Sequence, residues 1–383
     1  MQSFDWLNPT KLIFGKDTIN RIGEEIKTQN VSKVLLIAGC GSIKTNGTYE
    51  TVINSLGRIG IEWFELWSVK PNPVLSKVNE AIEIIRKNDI QAVLAVGGGS
   101  VIDTAKAAAA GSFMENVWDI FESKLSVQVR KALPIFIVLT ISASGSEMSP
   151  FAVITNEEKR QKWDIMGSAL YPKISIIDPS VQGKLPWYQT FNGAIDAMSH
   201  IMEYYFSADA SSETTLSVSE ALLRTIIKVT DRLYTDPTEY ESRASLAWAT
   251  TLALNGTSAA GMGNGDWASH RIAMGLSAID PSIAHGAGLA VIFPAWITYC
   301  SDAAPELFKR WAKMVWNCES VDGAVDALKT KINHWRGPAS FRELGVSHAQ
   351  LEIIAHTISD FGVIGSVKKL NEQDVKKILE LVF

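Results

Sequence analysis

The chain has 383 residues, more than a single hydrophobic core usually serves, since such cores stop growing at about 250–300 residues, so two domains are expected. Hydrophobic residues make up 46% and charged residues 20%, a globular balance that excludes a disordered or collagen-like chain. Lys plus Arg number 36 against 41 Asp plus Glu, a net charge of −5 that supplies no basic field for phosphate backbones, so nucleic acid is not an expected partner. The three cysteines, Cys40, Cys300 and Cys318, form no C-x-x-C pair, which argues against a disulfide framework or a thiolate zinc site and fits a reducing cytoplasm. The start of the sequence lacks the charged and apolar blocks of a signal peptide, and no apolar run reaches the roughly 20 residues of a membrane span. The 12 tryptophans follow no repeat and read as core and interface fillers.

In chain order, Lys11-Leu-Ile-Phe14 and Phe151-Ala-Val-Ile-Thr155 are short alternating pieces that suit a β-ribbon at a sheet edge, the second followed by a charged turn at residues 156–160. Lys33–Ala38, Ala92–Val96, Ile135–Thr140 and Ile174–Ile177 are apolar, β-branched runs of strand length. Helical spacing separates them, as with Val78, Ile82 and Ile85. This βαβα alternation predicts an α/β N-terminal Rossmann-like domain with a parallel sheet over residues 1–181. From 182 to 383 the periodicity turns helical, with breakers at Pro237, Pro281 and Pro338, and an all-helical C-terminal domain is expected.

Three polar loops follow predicted strands. Gly97, Gly98, Gly99 and Ser100 open a helix, where bare glycine backbone lets a pyrophosphate approach the helix N-terminus; a plain turn with Ser100 as N-cap and Asp103 closing a capping box reads equally well. Gly39, Cys40, Gly41 and Ser42 end an earlier strand without the acid that usually holds a ribose diol. Ser42, Lys44 and Thr45 there suit either a 2′-phosphate, which leans towards NADP over NAD, or an ordinary polar helix start. Thr140 to Glu147 offers the hydroxyls of Thr140 and Ser144, and Lys162 closes the charged turn, either reaching a phosphate or simply solvated.

Histidine placement is the sharper signal. Asp196 and His200 share one face of a helical stretch over residues 192–205, and His270 and His285 follow in a second helical region. One carboxylate oxygen with three imidazole nitrogens suits Fe(II) or Zn(II), although each histidine taken singly reads as well as a core residue bonded to a carboxyl group. His334, His348 and His356 lie among polar residues and carry no such reading.

Taken in order, Asn8-Pro-Thr10 with Phe14-Gly15, Pro71-Asn-Pro73, Gly97–Lys106, Gly145-Ser-Glu147, Asp178-Pro179, Leu185-Pro186, Asp196-Ala-Met-Ser-His200, Gly265-Asp-Trp267 with His270, and Ala284-His285-Gly286 resemble the iron-containing, group III alcohol dehydrogenase family. Within it they are most similar to the butanol dehydrogenase or broad aldehyde reductase branch, over nearly the whole chain. The resemblance implies a metal-dependent, NAD(P)-linked oxidoreductase acting on small primary alcohols and aldehydes, in a homodimer, with Fe2+ or Zn2+ held by Asp196, His200, His270 and His285. It also implies pyrophosphate contacts from Gly97, Gly98, Gly99 and Ser100. Further cofactor contacts fall on Gly39, Gly41, Ser42, Asn72, Asp103, Thr140, Ser144, Lys162 and Leu185. Two departures stand out. Met274 occupies a position where the family commonly has a histidine assigned to proton transfer, so no side-chain acid or base is assigned here. Asp280–Ala284 carries one extra residue, which on a continuous helix would rotate His285 by about 100°; Pro281 is expected to break the helix and absorb it. A relative of dehydroquinate synthase or glycerol dehydrogenase, and a nucleotide-binding homologue impaired by Met274, remain as alternatives.

Overall fold

The computed structural model describes residues 1–383 and contains eight strands, β1 (Lys11–Phe14), β2 (Lys33–Ala38), β3 (Glu62–Leu66), β4 (Ala92–Gly97), β5 (Ile135–Leu139), β6 (Phe151–Asn156), β7 (Gln161–Met166) and β8 (Ile174–Ile177). Six form one parallel sheet in the order β1-β8-β5-β4-β2-β3. Every residue of β4, β5 and β8 is buried. That explains why they read as unbroken apolar runs: a parallel sheet is covered on both faces.

Helices α1 (Ile22–Lys27), α2 (Ser42–Thr45), α3 (Thr48–Ile59), α4 (Leu75–Lys87), α5 (Gly99–Gly111) and α6 (Trp118–Glu122) connect the strands. The buried run Ala107–Ala110 keeps α5 slim, so it fits between β4 and β6. Lys106, on the same helix, is wholly buried, and its Nζ donates to Ser146 O, Ser149 O and Phe151 O at 2.7–2.9 Å. Burial pulls its pKa down to about 8 against the attraction of Asp103 and Glu147.

One expectation for this region needs correction. β1 does not pair with residues 151–155; it pairs in parallel with β8 and forms the outer edge of the main sheet. β6 pairs instead with β7 in a separate antiparallel hairpin around residues 157–160. β3 escaped the apolar pattern because Glu62 and Glu65 interrupt it; at an edge, only Leu66 of this strand is buried.

From residue 187 onward the structure is helical: α7 (Trp187–Ser207), α8 (Glu213–Thr235), α9 (Tyr240–Leu254), α10 (Ala268–Ile279), α11 (His285–Cys300), α12 (Pro305–Trp316), α13 (Val321–His334), α14 (His348–Ser359) and α15 (Glu372–Glu380). No helix is long and apolar enough to cross a membrane. The chain forms two compact units. An α/β unit comprises Leu7–Leu185 and Asp236–Thr251, and a helical unit comprises Met1–Trp6, Pro186–Thr235 and Leu252–Phe383. A single division after residue 181 does not anticipate these exchanged segments. Within the α/β unit, the Thr251 hydroxyl donates to Glu147 Oε1 at 2.6 Å. Inside the helical unit, Phe206 stacks on Phe308 with centroids 4.0 Å apart and meets Trp296 and Trp311 at 5.8 and 5.6 Å, joining α7, α11 and α12. Trp296, Trp311 and Trp335 are core residues as expected, whereas Trp6 and Trp248 are exposed.

Candidate metal centre and cofactor cradle

Helix α7 carries Asp196 and His200 one turn apart, and both side chains are buried. His270 is the third residue of α10, which begins after the left-handed Trp267 (φ 63°). His285 is the first residue of α11, entered from the extended Ala284. The break at residues 280–284 lies where Pro281 predicted it, so the extra residue sits in a loop and His285 turns back towards α7. A close crossing makes this possible: a Cβ on Gly286 would stand 2.2 Å from the carbonyl oxygen of Asn192 on α7.

These elements bring Asp196, His270 and His285 together, with ligand atoms all within 4.8 Å of one another. Asp196 Oδ1 is 4.0 Å from His270 Nε2 and 3.8 Å from His285 Nε2. His200 stands beside this trio, its Nδ1 3.8 Å from Asp196 Oδ1 and its ring 4.7 Å from that of His270. That Nδ1 is buried without a hydrogen-bond partner. Burial depresses the His200 pKa to about 4 although Asp196 pulls it upward, so the imidazole is neutral, the form a metal needs. An uncompensated buried nitrogen beside a carboxylate and two further imidazoles fits a divalent ion better than a dry core. His285, with its side chain 27% exposed, is the most accessible of the four.

The position one turn after His270 holds Met274, buried at 7% exposure, with Arg271 Nη1 3.7 Å from its sulfur. Sequence reasoning missed Glu203, two turns after Asp196 on the same face of α7 and completely buried. Its Oε1 lies 2.6 Å from His270 Nδ1, and burial pushes its pKa up to about 7 against the hydrogen bonds it accepts. The i, i+4, i+7 spacing of Asp196, His200 and Glu203 was the available signal. Asp266 was noted only within a motif. Its Oδ2 accepts the Ser366 and Val367 amides at 2.6 and 2.7 Å, its Oδ1 accepts the Ala268 amide, and burial raises its pKa to about 6.

In the α/β unit the glycine loops end β2 and β4, adjacent strands in register from Val34 against Ala92 to Ala38 against Val96. From β2 the sheet proceeds to β3 on one side and to β4 on the other, the reversal at which doubly wound sheets bind nucleotides beyond the carboxyl ends of their strands. Gly39, Gly41 and Ser42 therefore lie beside Gly97–Ser100 along one sheet edge. The loop after β4 is crowded: a Cβ on Gly97 would be 2.5 Å from Val101, one on Gly98 3.2 Å from Ile141, and one on Gly99 2.6 Å from Ser144 Oγ. Bare first-turn amides of α5 remain for an anion. Thr140 joins this edge, its amide donating to Gly97 O at 3.0 Å.

The alternative cap does not form. Gly98 is the N-cap of α5, and Asp103 accepts instead from Ser146 Oγ and the Val153 amide at 2.8 and 3.1 Å. Lys162 is not solvated: it is buried in β7 and donates to Asn72 Oδ1 at 2.7 Å. Leu185 ends a turn tied back to the β5 loop, where Gln182 Nε2 donates to Ser142 Oγ at 2.9 Å. Lys44 Nζ rests 4.1 Å from the Trp67 ring and 5.2 Å from that of Tyr49, while Glu65 accepts from the Tyr49 hydroxyl at 2.6 Å.

Comparison with known proteins agrees with both halves. The family described as iron-containing alcohol dehydrogenase matches residues 9–179, and the Fe-containing alcohol dehydrogenase family C-terminal description matches residues 190–383. The chain is 38% identical to NADH-dependent butanol dehydrogenase A of Clostridium acetobutylicum over 99% of both chains. It is 31% identical to an NADPH-dependent aldehyde reductase of Escherichia coli, over 99% of this chain and 96% of that one. The crystal structure of NADH-dependent butanol dehydrogenase A from Thermotoga maritima superposes with a TM-score of 0.97 at 47% identity, covering 100% of this chain and 99% of that one.

Proposed function

The chain belongs to the iron-containing alcohol dehydrogenase family, and from that premise we propose that it interconverts small primary alcohols and aldehydes using NAD(P) and a divalent metal. The observation that carries this reading is the convergence of Asp196, His270 and His285. We assign the ion, Fe2+ or Zn2+, to these three and His200. A bound ion would polarise an aldehyde carbonyl or lower an alcohol's pKa as a Lewis acid while hydride passes to or from the nicotinamide. Asp196 supplies the negative charge of the set and the imidazoles bind in their neutral form.

Gly97, Gly98, Gly99 and Ser100 would hold the pyrophosphate on the α5 amides. Gly39, Gly41 and Ser42 close the adjoining side of that cradle in this assignment. Thr140 and Ser144 offer hydroxyls from the β5 loop, and Asn72, Asp103, Lys162 and Leu185 complete the assigned surroundings. Met274 has no titratable nitrogen, so the reading gives proton exchange to water on the accessible side of His285. NADH is the favoured cofactor: Lys44 is held over Trp67 and Tyr49 rather than turned to a 2′-phosphate, and two of the relatives above are named NADH-dependent. A homodimer belongs to the same reading, supported by the free edge of β1 and by exposed Phe14 and Trp248, as does a cytoplasmic location, supported by three free cysteines.

The test is butanal reduction with NADH and NADPH in parallel, on metal-stripped protein reloaded with Fe(II) or Zn(II). Metal-dependent turnover, faster with NADH, is expected. No turnover of any aldehyde with either cofactor and either metal would overturn the reading and favour a non-catalytic nucleotide binder.

A further inference from the structure

We propose that Glu203 is the positioning residue of the metal centre, fixing His270 so that Nδ1 carries the proton and Nε2 faces the ion. This rests on the metal reading above. Glu203 Oε1 is 2.6 Å from His270 Nδ1, while His270 Nε2 points to the other side of the ring, 4.0 Å from Asp196 Oδ1. Both Glu203 oxygens already accept, from the Trp267 amide and the Ser269 hydroxyl, so this carboxyl faces His270 as an acceptor, the shared proton resides on Nδ1, and the lone pair is left on Nε2. The same carboxylate gathers the backbone that carries the ligand: Oε2 accepts the Trp267 amide at 2.5 Å, and Oε1 accepts the Ser269 hydroxyl at 2.5 Å. The main-chain oxygen of Glu203 accepts the Asp266 amide at 3.0 Å. One α7 residue therefore sets the height of the 266–270 segment and the tautomer of its ligand.

Full burial makes this arrangement costly unless each oxygen is satisfied. The donors present satisfy it, and an imidazole bound through Nε2 becomes a stronger Nδ1–H donor. Asp196 and Glu203, two turns apart, thus divide the work of α7. One carboxylate faces the ion, and the other stands behind an imidazole.

Zinc affinity of the full chain, measured by competition with a chromogenic chelator, tests the proposal together with the Co(II) absorption spectrum and the melting temperature of the metal-free protein. Glu203→Gln keeps the volume but places an amide donor against the Trp267 or Ser269 donors. Its zinc dissociation constant is expected to rise 10–100-fold, the range typical of lost partners behind a ligand, with a shifted Co(II) spectrum. Ser269→Ala, which removes one hydroxyl and leaves the carboxylate, is expected to weaken zinc by only a few fold. Unchanged zinc affinity and Co(II) spectrum in a folded Glu203→Gln protein would overturn the assignment. Should that variant fail to fold, histidine nitrogen NMR of zinc-loaded wild type decides: the resonance lost in His270→Gln must report a protonated Nδ1 and a ligated Nε2, and ligation through Nδ1 overturns the proposal. A wild type that binds no zinc or cobalt would fail at the metal reading itself, which the Glu203 variants cannot mimic because wild type then fails as well.

Discussion

Met274 stands where the family resemblance leads one to expect a histidine, and its surroundings show what a histidine would meet there. The side chain is buried one turn from His270, and its sulfur is approached by Arg271, whose guanidinium also lies 4.6 Å from the Phe361 ring. Met274→His is expected to turn over aldehyde at an equal or faster rate, with a new ionisation in the pH profile of kcat. A large loss of rate with metal content intact would show that another group already performs proton transfer. His285→Ala is expected to lose metal and activity together, as read by bound zinc per chain and butanal turnover; full activity in metal-free protein would contradict the mechanism. The clustering of Asp196, His270 and His285 was legible because Asp196 and His200 share a helical spacing and the remaining positions matched the motifs of the resemblance. Glu203 was not, because a glutamate on a long helix reads as a solvated face until its neighbours are known. For Lys162 the sequence left a phosphate contact and simple solvation open, and the strand turns its amine onto Asn72.

Helix contacts within the helical unit depend on particular small and charged residues. Gly286 lets the first turn of α11 touch the backbone of α7, and Gly286→Ala must push the helices apart because a carbonyl at 2.2 Å cannot yield as a side chain can. The expected cost is about 1–3 kcal/mol of stability by overpacking, with weaker zinc binding because His285 is the adjacent residue; urea unfolding and chelator competition measure both. Arg310 on α12 holds α8 in another way. Its Nε donates to the buried Glu220 at 2.6 Å, and Nη1 and Nη2 reach Glu213 at 2.5 and 2.8 Å. The Arg310 hydrogen bonds hold the Glu213 pKa near about 2, below its ordinary 4.5. A carboxyl whose folded pKa is depressed stabilises the fold above its unfolded pKa, and that contribution fades as pH falls from about 4.5 to about 2. Wild type is therefore expected to exceed Glu213→Gln in urea midpoint at pH 6, with the gap closing towards pH 2. Arg310→Leu leaves the buried Glu220 with the Tyr205 hydroxyl as its donor in place of an ion pair and should cost about 3 kcal/mol at neutral pH.

At the scale of the molecule, the proposed assignment draws its metal ligands from helices of the helical unit and its pyrophosphate contacts from loops of the α/β unit. Zinc is expected to slow amide exchange in α7, α10 and α11, and NADH in the first turn of α5 and the loop after β5; exchange measured by mass spectrometry with each ligand alone checks this. Exchange left unchanged by zinc in α7, α10 and α11, or by NADH in the first turn of α5, would argue against the assignment. The α/β class, the parallel sheet and the helical second half were legible from periodicity, since buried parallel strands and amphipathic helices write distinct patterns. The partners of β1 and the assignment of 236–251 to the α/β unit were not, because strand pairing and segment exchange are settled by contacts between residues far apart in sequence. The grip of Asp266 on Ser366 and Val367 belongs to that class, spanning 100 and 101 positions. During synthesis the chain makes residues in order, so the whole α/β unit is available once residue 251 has emerged, and the four proposed metal ligands by residue 285. The Asp266 tether on the loop before His270 arrives only with residues 366 and 367. A growing chain thus has its nucleotide cradle well before the second tether of the 266–270 segment, which in the interval has Glu203 as its brace.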